Sequence, residues 1–276
     1  MLRLSLELRR CRLLPAAVLL LAAGTATAAG RHTVAMAYVG PTGTSTYDGV
    51  RLGLHEDNLQ GKFLNKTFTV DTVPASRAGT FDASGYVAVL ADLPTDKLRA
   101  LAARLPGVPV LNLVNKDDAL RSSCIPNLFD IIQSHAMEKD AVAQWQKKHP
   151  GNPVQATGWD PRFVKYAGRD LNKRYTKRFR KKMDEKAWSG WVGARMIGDV
   201  INRGTTADAG TVMQYLKTRL AFDGQKGLDM TFRKTGQLRQ PVLLLENGKL
   251  LHEEAPVRGV VDPDDYDSLG VKGCSE

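Results

Sequence analysis

Between residues 32 and 115, short apolar runs alternate with segments of helical period, and this alternation constrains the fold more than any other feature of the chain. The runs are HTVAMAYVG (32–40), TFTVDTV (67–73), YVAVLADL (86–93) and VPVLNLVN (108–115). After the first run, YDGVRLGLHEDNLQ (47–60) sets Val50, Leu52, Leu54 and Leu59 among charges and stops at Gly61, which predicts a helix. PTDKLRALAARLP (94–106) has a first-turn proline, Pro94, and a stop at Pro106 and Gly107, a second helix. The order is strand, helix, strand, strand, helix, strand. Strands this apolar belong in a parallel sheet covered on both faces, so the class is α/β and residues 29–132 form a Rossmann-like N-terminal lobe. A ligand of such a sheet lies beyond the carboxyl ends of its strands: residues 40–47, 91–93 and 114–116.

The second half is less regular. Residues 133–149 read as a helix and VQATGW as a short strand. A helical region from about 163 to 202 has a break expected near Met183 and Asp184, and its later part, KAWSGWVGARMIGDVIN, is apolar almost all round and should be buried. Residues 206–220 read as another helix. From Phe222 to Leu250, FDGQKGLDMTFRKTGQLRQPVLLLENGKL punctuates apolar runs with Gly224, Gly227, Gly236 and Gly248, the pattern of strands joined by tight turns. The helix of about 163–204 is expected to return to the N-terminal lobe. Residues 133–162 and 205–276 are left for a second α/β lobe, a ribbon joining the two, and an acidic tail.

The N-terminus reads as an export signal. Arg3, Arg9, Arg10 and Arg12 precede an apolar run from 13 to 23, and Ala26, Thr27 and Ala28 fit a small-residue cleavage site. The run is too short to span a bilayer, and Cys11 precedes it rather than following it. Residues 1–28 are therefore expected to be removed, leaving about 248 residues in the periplasm, with no stable membrane insertion. Removal takes four arginines and one glutamate, so the formal charge falls from +10 to +7. Much of the excess lies in residues 162–186, RFVKYAGRDLNKRYTKRFRKKMDEK, either a solvated helix face or a docking patch for an acidic partner protein. Nucleic acid is not expected as a partner of an exported chain. Cys124 and Cys274 survive processing, and an oxidising compartment with an even count favours a disulfide between them over two buried thiols.

No catalytic pattern is present: no G-x-S-x-G, H-E-x-x-H, Walker A or C-x-x-C-H, and the histidines lack metal spacing. No metal or cofactor is expected, and the chain does not read as an enzyme. The best local binding feature is GPTGTSTYDG (40–49), whose Thr44, Ser45 and Thr46 precede a helix. Hydroxyls and free N–H groups there suit a carboxylate or other anion, and they equally suit plain helix capping. Asp262, Asp264, Asp265 and Asp267 do not follow the EF-hand order and read as a solvated acidic tail.

The segments 171–218 and 222–250 together resemble the C-terminal part of type I periplasmic substrate-binding proteins of the branched-chain amino acid (leucine-binding) ABC transporter family. VAMAYVGPTGTSTYDGVRLGLHEDN (34–58) resembles that family's first strand, ligand loop and first helix. A narrower likeness, carried by GQLRQPVLLL, LFDIIQSHAMEKDAVAQW, ARMIGDVI and a cysteine after DSLG, is to a divergent subgroup associated with PQQ-dependent alcohol dehydrogenase systems; it supports pairing Cys124 with Cys274. Typical members are longer, and the shortfall falls between His149 and Phe163, implying a reduced second lobe. The resemblance implies a small organic solute held between two lobes. Thr44, Ser45 and Thr46 would hold a carboxylate or polar head, Asn115 and Asp92 would contact the ligand, and Trp159 or Asp160 would face them. Implied partners are an ABC permease or, if the protein has lost its clamp and works by docking, a PQQ-dependent dehydrogenase, a cytochrome or a membrane partner.

Overall fold

The computed structural model describes residues 32–204 and 207–274; the expected signal peptide, residues 1–28, lies outside them. The elements in chain order are β1 (His32–Val39), α1 (Ser45–Gly61), β2 (Lys66–Val73), β3 (Ala88–Ala91), α2 (Thr95–Arg104), β4 (Val110–Asn112), α3 (Asp118–Ser122), β5 (Leu128–Asp130), α4 (His135–Lys148), β6 (Val154–Thr157), α5 (Gly168–Phe179), α6 (Glu185–Arg203), α7 (Ala209–Thr218), β7 (Phe222–Asp223), β8 (Asp229–Met230), β9 (Val242–Glu246) and β10 (Lys249–Ala255).

Strands β1 to β5 form a parallel sheet in the order β2-β1-β3-β4-β5. The two-residue period of a strand sends alternate side chains to opposite faces. Val34, Met36 and Tyr38 of β1, with Leu90, Leu111 and Phe129, face a core completed by α1, α5, α6 and α7. Ala37, Val39, Val89, Val110 and Leu128 face Leu98, Leu101 and Ala102 of α2 and Leu120 of α3. Both faces of the inner strands are dry, which is why β3 and the inner part of β1 carry almost no polar residues. The edge strand β2, KTFTVDTV, is largely half-buried or exposed and carries five. The fifth strand and the short α3 lie beyond the alternation read from residues 32–115. LFD is a run of three, too short for periodicity to signal.

Helices α1 and α6 run parallel and touch along their length. A Cβ at Gly49 would sit 2.0 Å from the Ala187 carbonyl oxygen, and one at Gly190 would sit 2.1 Å from that of Thr46. Glycine at these positions lets the two backbones meet. The break expected near Met183 and Asp184 separates α5 from α6, and thirteen residues of α6 are buried.

A second, antiparallel sheet has the order β10-β9-β6. It packs on α4 through Met137, Ala141, Trp145, Val242, Leu244 and Ala255. Between His149 and Phe163 the chain holds one strand, β6. The ribbon joins the sheets. Asp130 N donates to the Gly236 carbonyl at 2.8 Å and Leu238 N to the Asp130 carbonyl at 3.0 Å, so the chain lies against β5 before β9 enters the second sheet. Cys124 and Cys274 are disulfide-bonded across a sequence separation of 150. Among the described residues, no helix is long and apolar enough to cross a membrane.

Candidate functional site

The strand order reverses direction at β1: one connection leads out to β2, the next to β3 on the other side. Loops leaving β1 and β3 therefore diverge and leave a crevice at the carboxyl edge, the usual ligand position in open α/β sheets. Here the crevice is a cavity of about 490 Å³ lined by Thr44, Ser45, Thr46, Asp92, Asp184, Glu185 and Lys186. The N-termini of the parallel helices α1 and α6 both meet it, bringing two positive dipole ends to one place.

Each wall is built by short-range bonding. Thr44 caps α1, its Oγ1 accepting from Tyr47 N at 3.3 Å and donating to the Pro41 carbonyl at 3.1 Å. The Tyr38 hydroxyl lies 3.1 Å from both the Pro41 carbonyl and Asp92 Oδ2. Burial, with the Asp92 carboxylate adding to it, pushes Tyr38 well above the usual phenol range, so its hydroxyl stays a donor and fixes Asp92. Ser45 Oγ donates to Asp184 Oδ2 at 2.8 Å, while Asp184 Oδ1 caps α6 by accepting from Ala187 N at 2.7 Å. Thr46 is fully buried against α6, and its hydroxyl has no partner among the described residues.

Behind the cavity, Glu185 is a hub. Its Oε2 accepts from Gln133 Nε2 at 2.6 Å, Thr157 Oγ1 at 2.9 Å and Gly158 N at 3.1 Å. Lys116 pairs with it and, at 2.6 Å, with Glu138. Burial alone would raise the Glu185 carboxyl, but the Lys116 charge and these donors together outweigh it and hold it below the usual carboxylate range. Lys116 is held above its usual range by Glu185 and Glu138 against the opposing effect of burial. This network stitches the carboxyl edge of the parallel sheet to β6 of the second sheet.

Of the residues expected at the site, Thr44, Ser45, Thr46 and Asp92 line the one cavity, and three lie elsewhere. Asn115 is spent on loop structure: its Nδ2 donates to Thr95 Oγ1 at 3.1 Å and the Leu93 carbonyl at 3.3 Å, and its Oδ1 accepts from Asp117 N. Its carbonyl accepts from Asn112 Nδ2 and from Arg121, which is buried beside Asp130 at 3.5 Å. Trp159 is buried, stacked on Trp188 with ring centroids 5.9 Å apart, and donates Nε1 to Asn172 Oδ1 at 3.0 Å. Asp160 is held by Arg162, with 2.7 Å between Oδ2 and the guanidinium. In their place Asp184, Glu185 and Lys186 form the opposing wall. Their signal was present: an Asp after the expected break, followed by Glu, is a helix N-cap pattern.

The basic stretch 162–186 is partly neutralised. Arg162, Lys165, Arg174 and Lys181 pair with Asp160, Glu254, Glu56 and Asp48. Arg169, Lys173, Lys177 and Arg178 are exposed on α5. In the acidic tail, Asp267 is bound by Arg239 and Arg233 at 2.9 Å. No group of three or more His, Cys, Asp or Glu suited to a metal ion occurs among the described residues.

An α/β fold with this sheet and this crevice is the type I periplasmic-binding-protein fold, as the solved structures show. An ABC transporter substrate-binding protein from Desulfitobacterium hafniense superposes with a TM-score of 0.70 at 11% identity, over 80% of this chain and 99% of that one. A putative branched-chain amino acid ABC transporter protein from Rhodospirillum rubrum gives 0.67 at 13% identity, over 79% and 99%. The substrate-binding protein LivJ from Streptococcus pneumoniae, in complex with isoleucine, gives 0.64 at 11% identity, over 79% and 97%. The first and third of these are named as substrate-binding proteins. No protein-family model matches the chain, and no curated protein matches it in sequence.

Proposed function

We propose that this protein is a periplasmic solute-binding protein of an ABC-type transport system, working with a permease, and that the 490 Å³ crevice holds its ligand. The carrying observation is the composition of that crevice. Hydroxyls at the N-terminus of α1 and the Lys186 ammonium suit a carboxylate, while Asp92 and Asp184 suit an ammonium or hydroxyl. A small amino-acid-like or hydroxy-acid solute satisfies both. Neighbours of the same fold have been solved with isoleucine and with leucine. The three-stranded sheet with α4 acts as a reduced second lobe, fixed to the first by the Glu185 network. Operation alongside PQQ-dependent alcohol oxidation is the narrower form of this reading, supported by the sequence likeness of residues 128–145, 194–201 and 236–245.

A second reading is favoured by one observation. The exposed face of α5 carries Arg169, Lys173, Lys177 and Arg178 without an ion pair to the described residues. That surface suits an acidic dehydrogenase or cytochrome.

Thermal unfolding of the exported chain against amino acids, short hydroxy acids, alcohols, aldehydes and PQQ separates the two. A ligand of the folded state adds about 2.7 kcal/mol at a hundredfold excess over Kd. A shift of several degrees with one compound, lost in Ser45→Ala and Asp92→Asn, establishes the solute reading. No shift with any compound rejects it in favour of docking.

A further inference from the structure

Beside the disulfide, and sharing no lining residue with the solute crevice, lies a second cavity of about 540 Å³, walled by Arg233, Lys234, Thr235, Arg239, Asp267 and residues 272–274. Four cations, counting Lys272, meet one lining carboxylate. That carboxylate is already committed: Arg239 holds both oxygens of Asp267 at 2.9 Å, and Arg233 Nε approaches Oδ1 at 2.9 Å. Lys234 and Lys272 form no ion pair with the described residues, and the Lys272 ammonium reaches only the Asp267 carbonyl, at 2.8 Å. Burial, joined by the Arg233 charge and opposed by Asp140, pushes Lys272 below its usual range.

The independent observation is Thr235. It is only 4% exposed, it lines the cavity, and its hydroxyl has no hydrogen-bond partner among the described residues. Buried hydroxyls are nearly always bonded, so an orphan beside four cations points to a missing acceptor.

We propose that this cavity binds a phosphate monoester. The Lys234 and Lys272 ammoniums, without an ion pair to the described residues, and the Thr235 hydroxyl supply charge and a donor for its oxygens. They stand beside the Arg233 and Arg239 guanidiniums, whose N–H groups are committed to Asp267, Thr231 and backbone carbonyls. The volume leaves room for an organic group. The phosphate arrives either on a soluble ester or on a lipid headgroup. Closure of the wall depends on the disulfide. The tail's last bonds to the body before Lys272 are Gly270 N to Asp140 Oδ2 at 2.7 Å and Arg233 to the Val271 carbonyl at 3.4 Å; beyond them, Cys274 is tied to Cys124.

Isothermal titration of the oxidised, exported chain with inorganic phosphate, glycerol 3-phosphate, and vesicles of phosphatidic acid in phosphatidylcholine tests this. The expected result is saturable one-site binding of glycerol 3-phosphate, weakened about tenfold by Thr235→Val and by Lys272→Gln at unchanged melting temperature, and weakened again on reduction of the disulfide. Binding to the vesicles alone, with the same sensitivity to the two substitutions, assigns the phosphate to a lipid headgroup. Absence of saturable binding to all three probes, or binding that ignores both substitutions, overturns the proposal.

Discussion

Ser45 Oγ donates a 2.8 Å hydrogen bond to Asp184 Oδ2, joining the first turn of α1 to the N-cap of α6 across 139 residues of sequence. A side-chain carboxylate thus sits where the fold offers two helix N-termini to an anion. The crevice presents acid as well as hydroxyl groups, and a ligand whose own carboxylate enters must either displace Asp184 from Ser45 or bind beside it at Lys186. The proposed preference for a solute that also carries an ammonium or hydroxyl follows from this, because Asp92 and Asp184 then gain a donor.

The close meeting of α1 and α6 gives the sharpest stability prediction. At Gly190 an added methyl would lie 2.1 Å from the Thr46 carbonyl oxygen, against backbone that cannot swing away. Gly190→Ala is expected to destabilise the fold by about 2–3 kcal/mol, read as a lower urea midpoint. Gly43→Ala, where nothing lies within 4 Å of the new Cβ, is the control and should stay within about 0.5 kcal/mol. Equal midpoints for the two variants would contradict the crossing described above.

The disulfide closes a long loop, with a sequence separation of 150. In the chain-entropy model a loop of that size contributes about 5 kcal/mol by restricting the unfolded chain. Reduction, or Cys274→Ser, should lower the guanidinium midpoint accordingly. The tail up to Val271 should remain in place, because Arg233 donates to the Leu269 carbonyl at 2.6 Å and Gly270 N to Asp140, and residues 272–274 are the part released. An unchanged midpoint after complete reduction would show that the bond does not constrain the unfolded state as expected.

Much of the parallel sheet was legible because its inner strands are dry on both faces. Runs such as VAMAYV and VAVLA have no alternative to the inside of a parallel sheet, and Gly61, Pro94 and Pro106 mark the helix ends. The lining of the candidate crevice was half legible. Thr44, Ser45 and Asp92 follow strand ends, and position alone brings them to the carboxyl edge. Asn115 also follows a strand, yet the buried Arg121 and Asp130 pair draws its backbone into a loop network, and such a long-range polar cluster leaves no local pattern. Trp159 could not be told from a core residue, since an aromatic after a short strand serves packing as readily as ligand contact. Asp184 and Glu185 carry a local N-cap signal, but their place in the crevice follows from α6 lying parallel to α1, which the glycine contacts and the Ser45–Asp184 bond show.

Asp57, on α1, is fully buried over α6 with Arg195 as its partner. Burial raises its carboxyl from the usual range to about 7, against the lowering effect of Arg195. The folded state then holds a proton that the unfolded state, with a pKa near 3.9, has released. Between about pH 4 and pH 7 the unfolded state binds fewer protons, so stability falls as pH rises through this window and levels off above it. Asp57→Asn should flatten that slope. The measurement is the urea midpoint of both proteins at intervals from pH 4.5 to 8; parallel curves would mean that Asp57 stays ionised in the fold.

Glu185 works in the opposite sense, and it bears on the site directly. Its folded carboxyl lies below the usual range because Lys116 and the donors from Gln133, Thr157 and Gly158 outweigh burial. Its contribution is therefore present above the unfolded carboxylate pKa, near 4.3, and is lost as pH falls through the lowered folded value. Glu185→Gln keeps the shape but leaves Lys116 with Glu138 alone, and the variant should lose about 1–3 kcal/mol at neutral pH, with a shallower acid limb than the parent. Because this network joins the parallel sheet to β6, the same substitution should also loosen the second sheet. Amide exchange at Ala156 and Thr157 is expected to accelerate while exchange in β1 and β3 is unchanged. Uniform acceleration across both sheets would mean that Glu185 supports the fold as a whole rather than the joint between its two sheets.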